Sequence, residues 1–255
     1  MLNIHLSNMN RFTYLLRKWT RRRTLLEQYV IDGHEVSIVD ERFLFNIYPE
    51  MRIMEGKTGW YSAIYKDPKR IAQPMYPKIQ SIIERWNKRH HSTRYLILGC
   101  AGCSLLRFIG MKYADSQVTG VEISEAMIQM AKKYFLEGLE QKKIELVHDD
   151  AFLFLKRLSN NIDVCVVDLF DNNKIIERIY KESFIYDLSN VTRSPSIVIF
   201  NFFGQSEEQG IALCKLAKRY FDNAYLLPLE NAYLPIFIKG DSSLGLTGFP
   251  KSDSS

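Results

Sequence analysis

Between Arg94 and Phe170 the chain alternates two kinds of apolar segment, and that alternation limits the folds open to it more than any other feature. RYLILGC, QVTGVEIS, KIELVHDD and IDVCVVDLF are short, and YLIL and VCVV are apolar at every residue, as strands buried on both faces must be. Between them lie SLLRFIGMKYA, EAMIQMAKKYFLEGL and AFLFLKRLS, with helical spacing. Strand, helix and strand in repetition specify an α/β fold with a mainly parallel sheet covered on both sides.

Capping signals agree with this division. Ser124 stands before EAMIQM as an N-cap, and Asp149 and Asp150 stand ahead of AFLFLKRL, where a helix start favours acids. Further on come SIVIFNFF, a helix over EEQGIALCKLAKRYF, and AYLLPLENAYLPIFIKG, which reads as two strands joined at Glu230-Asn231. An antiparallel hairpin at the end of a parallel sheet is the mark of the Rossmann-like methyltransferase fold, whereas dinucleotide-binding sheets continue in parallel.

Ahead of Arg94 the period changes. EVSIVDERFLFNIY and MRIMEG alternate with a period of two and read as a small β appendage, followed by a helix with Met75, Ile79, Ile82, Ile83 and Trp86 on one face. Residues 1–30 carry six basic groups (Arg11, Arg17, Lys18, Arg21, Arg22, Arg23) against Glu27, so the whole formal charge of +5 lies there. That segment is expected to be an amphipathic helix with Phe12, Leu15, Leu16 and Trp19 on its apolar face. The predicted domains are a basic helical segment over 1–34, the appendage and linking helix over 35–92, the Rossmann-like domain over 93–240 and a disordered tail over 241–255.

Composition excludes several functions. Without its N-terminal 30 residues the chain is formally neutral, so nucleic acid has no basic face to meet on the main domain. No run approaches the ~20 apolar residues of a membrane span, and no secretory leader is evident, so the protein is read as cytoplasmic. Cys100, Cys103, Cys165 and Cys214 are too few and too unevenly placed for a disulfide framework and are read as reduced thiols.

The candidate site lies at the strand ends. Gly99 to Ser104 is a loop of small residues between strand and helix, where backbone can approach a ligand. Glu122 follows Gly99 by 23 residues at the end of the second strand, where an acid accepts from both ribose hydroxyls. Asp150 ends the third strand and can accept from an adenine amino group, with Ala151 leaving room for the ring. Asp168 and Asp171 end the fourth, beside the place of a sulfonium; Asp168 is the stronger candidate for a base or an electrostatic partner. NAD is disfavoured, because Ala101 and Ser104 stand where the dinucleotide fingerprint needs glycine. Cys100-Ala-Gly-Cys103 also fits a redox dithiol, but the acids at successive strand ends do not belong to that fold. No hydrolase elbow and no four-ligand zinc set is found, and no metal is expected.

At these residues the chain resembles the spermidine synthase family, and more closely its orphan bacterial spermidine synthase-like members than the established aminopropyltransferases. The likeness runs from about Glu35 to Lys239 and includes Asp67, Pro68 and Tyr76 of a DP…Y segment, the glycine loop, GVEIS, the DDA turn and DLFD. It implies that Glu122 holds a ribose, Asp150 with Ala151 an adenine, and Asp168 the attacking amine. Cofactor contacts are expected from Gly99, Ala101, Gly102, Cys103, Glu122, Ile123, Asp150, Ala151 and Asp168. It also implies a homodimer and a small-molecule acceptor bearing an amine or hydroxyl.

Two departures bear on the reaction. The family's GGGDGG aspartate, which grips the aminopropyl amine, is Gly102 here, and DSSDP is DLFDN. S-adenosylmethionine is therefore expected in preference to its decarboxylated form, and methyl transfer in preference to aminopropyl transfer. A protein that keeps the nucleoside but has lost catalysis, a partner or sensor, is the alternative of another class.

Overall fold

The computed structural model describes residues 21–31, 33–43, 50–57, 59–65, 76–171, 174–229 and 232–240. Its contacts divide the chain into a unit ending at Gln73 and a second beginning at Pro74.

The first unit is a four-stranded antiparallel sheet in the order β1-β2-β3-β4, with β1 at Arg21–Ile31, β2 at His34–Phe43, β3 at Met51–Gly56 and β4 at Gly59–Tyr65. Alternation predicts β2 and β3, and the structure adds a strand on each side. Residues 21–31 correct the expected basic helix: they pair with β2 from Arg21 opposite Phe43 to Ile31 opposite His34. Charge explains the strand, because Arg21 binds Glu41 and Arg23 binds Glu55 at 2.6 Å across the sheet. Arg52 grips Asp40 with two hydrogen bonds of 2.7 and 2.9 Å. Met51, Ile53 and Ala63 form the apolar centre, flanked by Trp60 and Tyr65. Phe12, Leu15, Leu16, Trp19, the Asp67-Pro68 segment and the tail over 241–255 lie outside the described residues.

The second unit begins with α1 (Tyr76–His90), whose Ile79, Ile82, Ile83 and Trp86 are buried. The helix therefore belongs with this unit and not with the appendage, and three residues after His90 lead into the sheet. Next come β5 (Arg94–Leu98), α2 (Ser104–Lys112), β6 (Gln117–Glu122), α3 (Glu125–Tyr134), β7 (Lys143–His148), α4 (Ala151–Leu155) and β8 (Ile162–Val167). A short hairpin of β9 (Phe170–Asp171) and β10 (Lys174–Ile175) leads into a 3₁₀ turn over Glu177–Tyr180 and α5 (Glu182–Val191). The chain closes with β11 (Thr192–Phe200), β12 (Phe202–Phe203), α6 (Glu207–Ala217), β13 (Asn223–Leu229) and β14 (Ala232–Lys239).

The sheet order is β12-β14-β11-β8-β5-β6-β7, with β13 on β14. β5, β6, β7, β8 and β11 are parallel, and β14 enters antiparallel to β11. Sequence order reverses beside β5, between β6 on one side and β8 on the other, and an open α/β sheet binds ligands in the crevice at such a point. Ser124 and Asp150 are the N-caps the sequence predicts, Ser124 accepting from Met127 N–H at 3.3 Å.

Candidate functional site

Backbone hydrogen bonds carry the sheet into the loops above it. Gly99 N–H donates to Val121, Asp168 N–H to Leu98 and Asn201 N–H to Val167, at 2.8 to 2.9 Å, so the residues just beyond β5, β8 and β11 are fixed relative to one another. Gly99 is required there. Its φ is +77°, and a Cβ would lie 2.2 Å from the Asp168 carbonyl oxygen. Ala101 and Cys103 also have positive φ, at 37° and 62°, unusual for residues with a Cβ and the kind of strain a ligand loop retains.

Glu122 clamps this loop. One carboxylate oxygen accepts from Cys100 N–H (3.2 Å) and Ala101 N–H (2.9 Å), the other from Ser124 N–H (3.1 Å). The expected ribose acid is thus also what shapes the loop. Beside it Ile123 is 68% exposed, and Leu153, one turn after Asp150, is 50% exposed, two large apolar side chains left uncovered at the carboxyl edge of the sheet.

Asp150 spends one oxygen on capping α4, accepting from Phe152 N–H (2.7 Å) and Leu153 N–H (3.1 Å). Its other oxygen accepts from Arg178 at 2.8 Å. Burial pulls the Asp150 pKa upward, but the Arg178 hydrogen bond, the two N–H groups and the Arg178 charge hold it below its ordinary value. Ala151 is buried.

Asp168 is the centre of the arrangement. Tyr76 Oη donates to Oδ2 at 2.8 Å, and Asn201 Nδ2 donates to Oδ1 at 2.7 Å. Burial pushes the Asp168 pKa from 3.8 to about 6, against the downward pull of those two hydrogen bonds and with a smaller push from Glu122. Tyr76 is raised well above its ordinary value by burial first and the Asp168 charge second. Asn201 Oδ1 is buried without a partner, a bare acceptor beside the carboxylate.

Glu122, the loop from Gly99 to Cys103 and Asp168 are brought together, with Asp150 on the adjacent strand end. Asp171 is not: it is exposed, in the β9–β10 hairpin opposite Lys174. Tyr76 and Asn201 escaped the sequence reading of the chemistry; the signals were the tyrosine of the DP…Y segment and the asparagine ending SIVIFN, a fifth strand end. All four cysteines are free and buried. Hydrogen bonding to Cys103 and burial push the Cys100 thiol well up, the opposite of what a redox thiol needs. Among the described residues no three His, Cys, Asp or Glu side chains group as metal ligands, and no helix is long and apolar enough to cross a membrane.

The strand order and the acids on successive strand ends define a Rossmann-like α/β protein of the methyltransferase type. Within that class the chain belongs to the spermine/spermidine synthase family, whose domain matches residues 87–241. It is 28% identical over 134 residues to the polyamine aminopropyltransferase of Neisseria meningitidis serogroup B, covering 52% of this chain and 51% of that protein. To polyamine aminopropyltransferase 2 of Aquifex aeolicus it is 24% identical over 234 residues, 85% of this chain and 44% of that protein. The chain spans about half the length of the curated relatives it matches.

Among solved structures, a probable spermidine synthase from Corynebacterium glutamicum superposes with a TM-score of 0.72 at 13% identity, covering 84% of this chain and 79% of that one. Human methyltransferase-like protein 13 in complex with SAH gives 0.57 at 15% identity, covering 67% and 84%. These likenesses are of fold.

Proposed function

We propose that this chain is a transferase that moves an alkyl group from a sulfonium nucleoside to an amine, and that the group is aminopropyl from decarboxylated S-adenosylmethionine. Family membership supports aminopropyl over the methyl transfer expected from Gly102. The observation that carries the reading is the half-buried Tyr76–Asp168–Asn201 constellation above the switch point.

The residues fit such a ligand. Glu122 keeps acceptor capacity for a ribose hydroxyl on Oε1, which takes only the Ser124 N–H, Asp150 offers an oxygen to an amino group, and Ile123 and Leu153 supply apolar flanks for a base. Asp168, with a pKa of about 6, is a carboxylate tuned towards neutrality. The amine nitrogen attacks the carbon attached to the sulfonium; the new N–C bond forms as the C–S bond breaks, sulfur leaves neutral in methylthioadenosine, and the surplus proton passes to Asp168. Tyr76 Oη and Asn201 Nδ2 hold the carboxylate in line.

Titration calorimetry with decarboxylated S-adenosylmethionine, S-adenosylmethionine, methylthioadenosine and NAD tests the reading. Tightest binding of the decarboxylated donor supports it. Preference for the carboxylated donor favours methyl transfer, whose motive is the missing loop acid at Gly102. Tight nucleoside binding without turnover of any amine favours the sensor, and binding of none removes the site. The homodimer is carried as a proposal, tested by the mass in light scattering.

A further inference from the structure

Arg178 and Asp150 form a charge pair that alkyl transfer does not use. Asp150 Oδ1 is consumed by the two N–H groups of α4, so only Oδ2 remains for a ligand, and Arg178 Nη1 already sits 2.8 Å from it. The guanidinium carbon lies 3.8 Å from the centre of the Phe152 ring, and that ring packs on Phe184 at 4.8 Å. A carboxylate on one side and an aromatic face beneath therefore fix the orientation of a side chain that is 51% exposed. Exposed arginines are ordinarily free to sample many rotamers; this one is pre-set, with further N–H donors beyond the one used on Asp150.

We propose that Arg178 reads the base, presenting a donor beside the Asp150 acceptor to the edge of the purine. This rests on the nucleoside reading of the site. Adenine carries an exocyclic amine between two ring acceptors, so a carboxylate alone satisfies one position and a carboxylate with an adjacent guanidinium satisfies two. Asp150 takes the amine, and Arg178 donates to ring nitrogen 1 or 7.

The experiment is titration calorimetry of the full chain with 5′-methylthioadenosine and its 1-deaza and 7-deaza analogues, on wild type, Arg178→Ala and Arg178→Lys, with Glu122→Gln as a control on the ribose contact. The expected result is an ~10-fold loss of methylthioadenosine affinity in Arg178→Ala, the size of one charge-assisted hydrogen bond. One deaza analogue should lose ~10-fold on wild type and nothing further on Arg178→Ala. Arg178→Lys keeps the charge but not the fork, and should also lose the discrimination; it decides the matter if the alanine variant fails to fold. Unchanged or tighter binding in Arg178→Ala would mean that the arginine merely competes for Asp150, and equal analogue losses in wild type and variants would mean that it acts only through the carboxylate. Either overturns the proposal. Wild type that binds no nucleoside defeats the underlying reading as well, and that failure shows before any variant is compared.

Discussion

Replacing Asp168 with asparagine is expected to make the protein more stable and much less active. The native carboxylate titrates at about 6 instead of 3.8 because it is buried. Each pH unit of displacement corresponds to ~1.4 kcal/mol, so keeping this group ionised in the folded protein costs ~3 kcal/mol at neutral pH. The sign follows from proton counting. Between pH 3.8 and about 6 the folded state holds more protons at this residue than the unfolded state, so stability falls as pH rises through that window. Asparagine carries no such cost, and the fold can receive it: Tyr76 still donates to the amide oxygen, and Asn201, by turning its amide, offers its partnerless Oδ1 to the new N–H. Urea unfolding of both proteins at pH 7.5 and pH 4 is the assay. The variant should gain ~3 kcal/mol at the higher pH and under ~1 kcal/mol at the lower, while transferase activity drops by ~100-fold or more. A gain independent of pH, or a variant less stable at pH 7.5, would refute the argument from burial; undiminished activity would refute Asp168 as the base.

Tyr76→Phe removes a hydrogen bond that lowers the Asp168 pKa, so the acid limb of kcat/KM should move upward from about 6, read from a pH–rate profile. Gly99→Ala places a Cβ 2.2 Å from the Asp168 carbonyl oxygen at φ +77°, and should cost about 2 to 3 kcal/mol in urea unfolding together with nucleoside affinity.

The parallel sheet was legible because YLIL and VCVV are apolar at every residue, and the antiparallel finish because two strand-like runs meet at Glu230-Asn231. Gly99, Glu122, Asp150 and Asp168 could be picked out because each sits at a strand end, where topology rather than side-chain detail sets position. What the sequence hid is long-range pairing. Tyr76 reaches Asp168 across 92 residues and Arg178 reaches Asp150 across 28, and no local pattern reports either contact. The basic run at residues 21–23 misled for a related reason: its partners, Glu41 and Glu55, lie on other strands, so a cluster that looked solvated in sequence is a row of cross-strand ion pairs.

The place of β14 bears on how the molecule is made. It joins β11 to both β12 and β13, although it comes last of the described strands to be synthesised. Until it arrives, β11 has β8 on one side and an open edge on the other, and an unpaired edge invites other chains. Asn201, just beyond β11, stands on that unfinished strand. A nascent chain halted before Ala232 therefore has the Gly99–Cys103 loop and the strand-end acids already translated but a sticky flank beside Asp168, and chaperone demand should be greatest in this interval of synthesis.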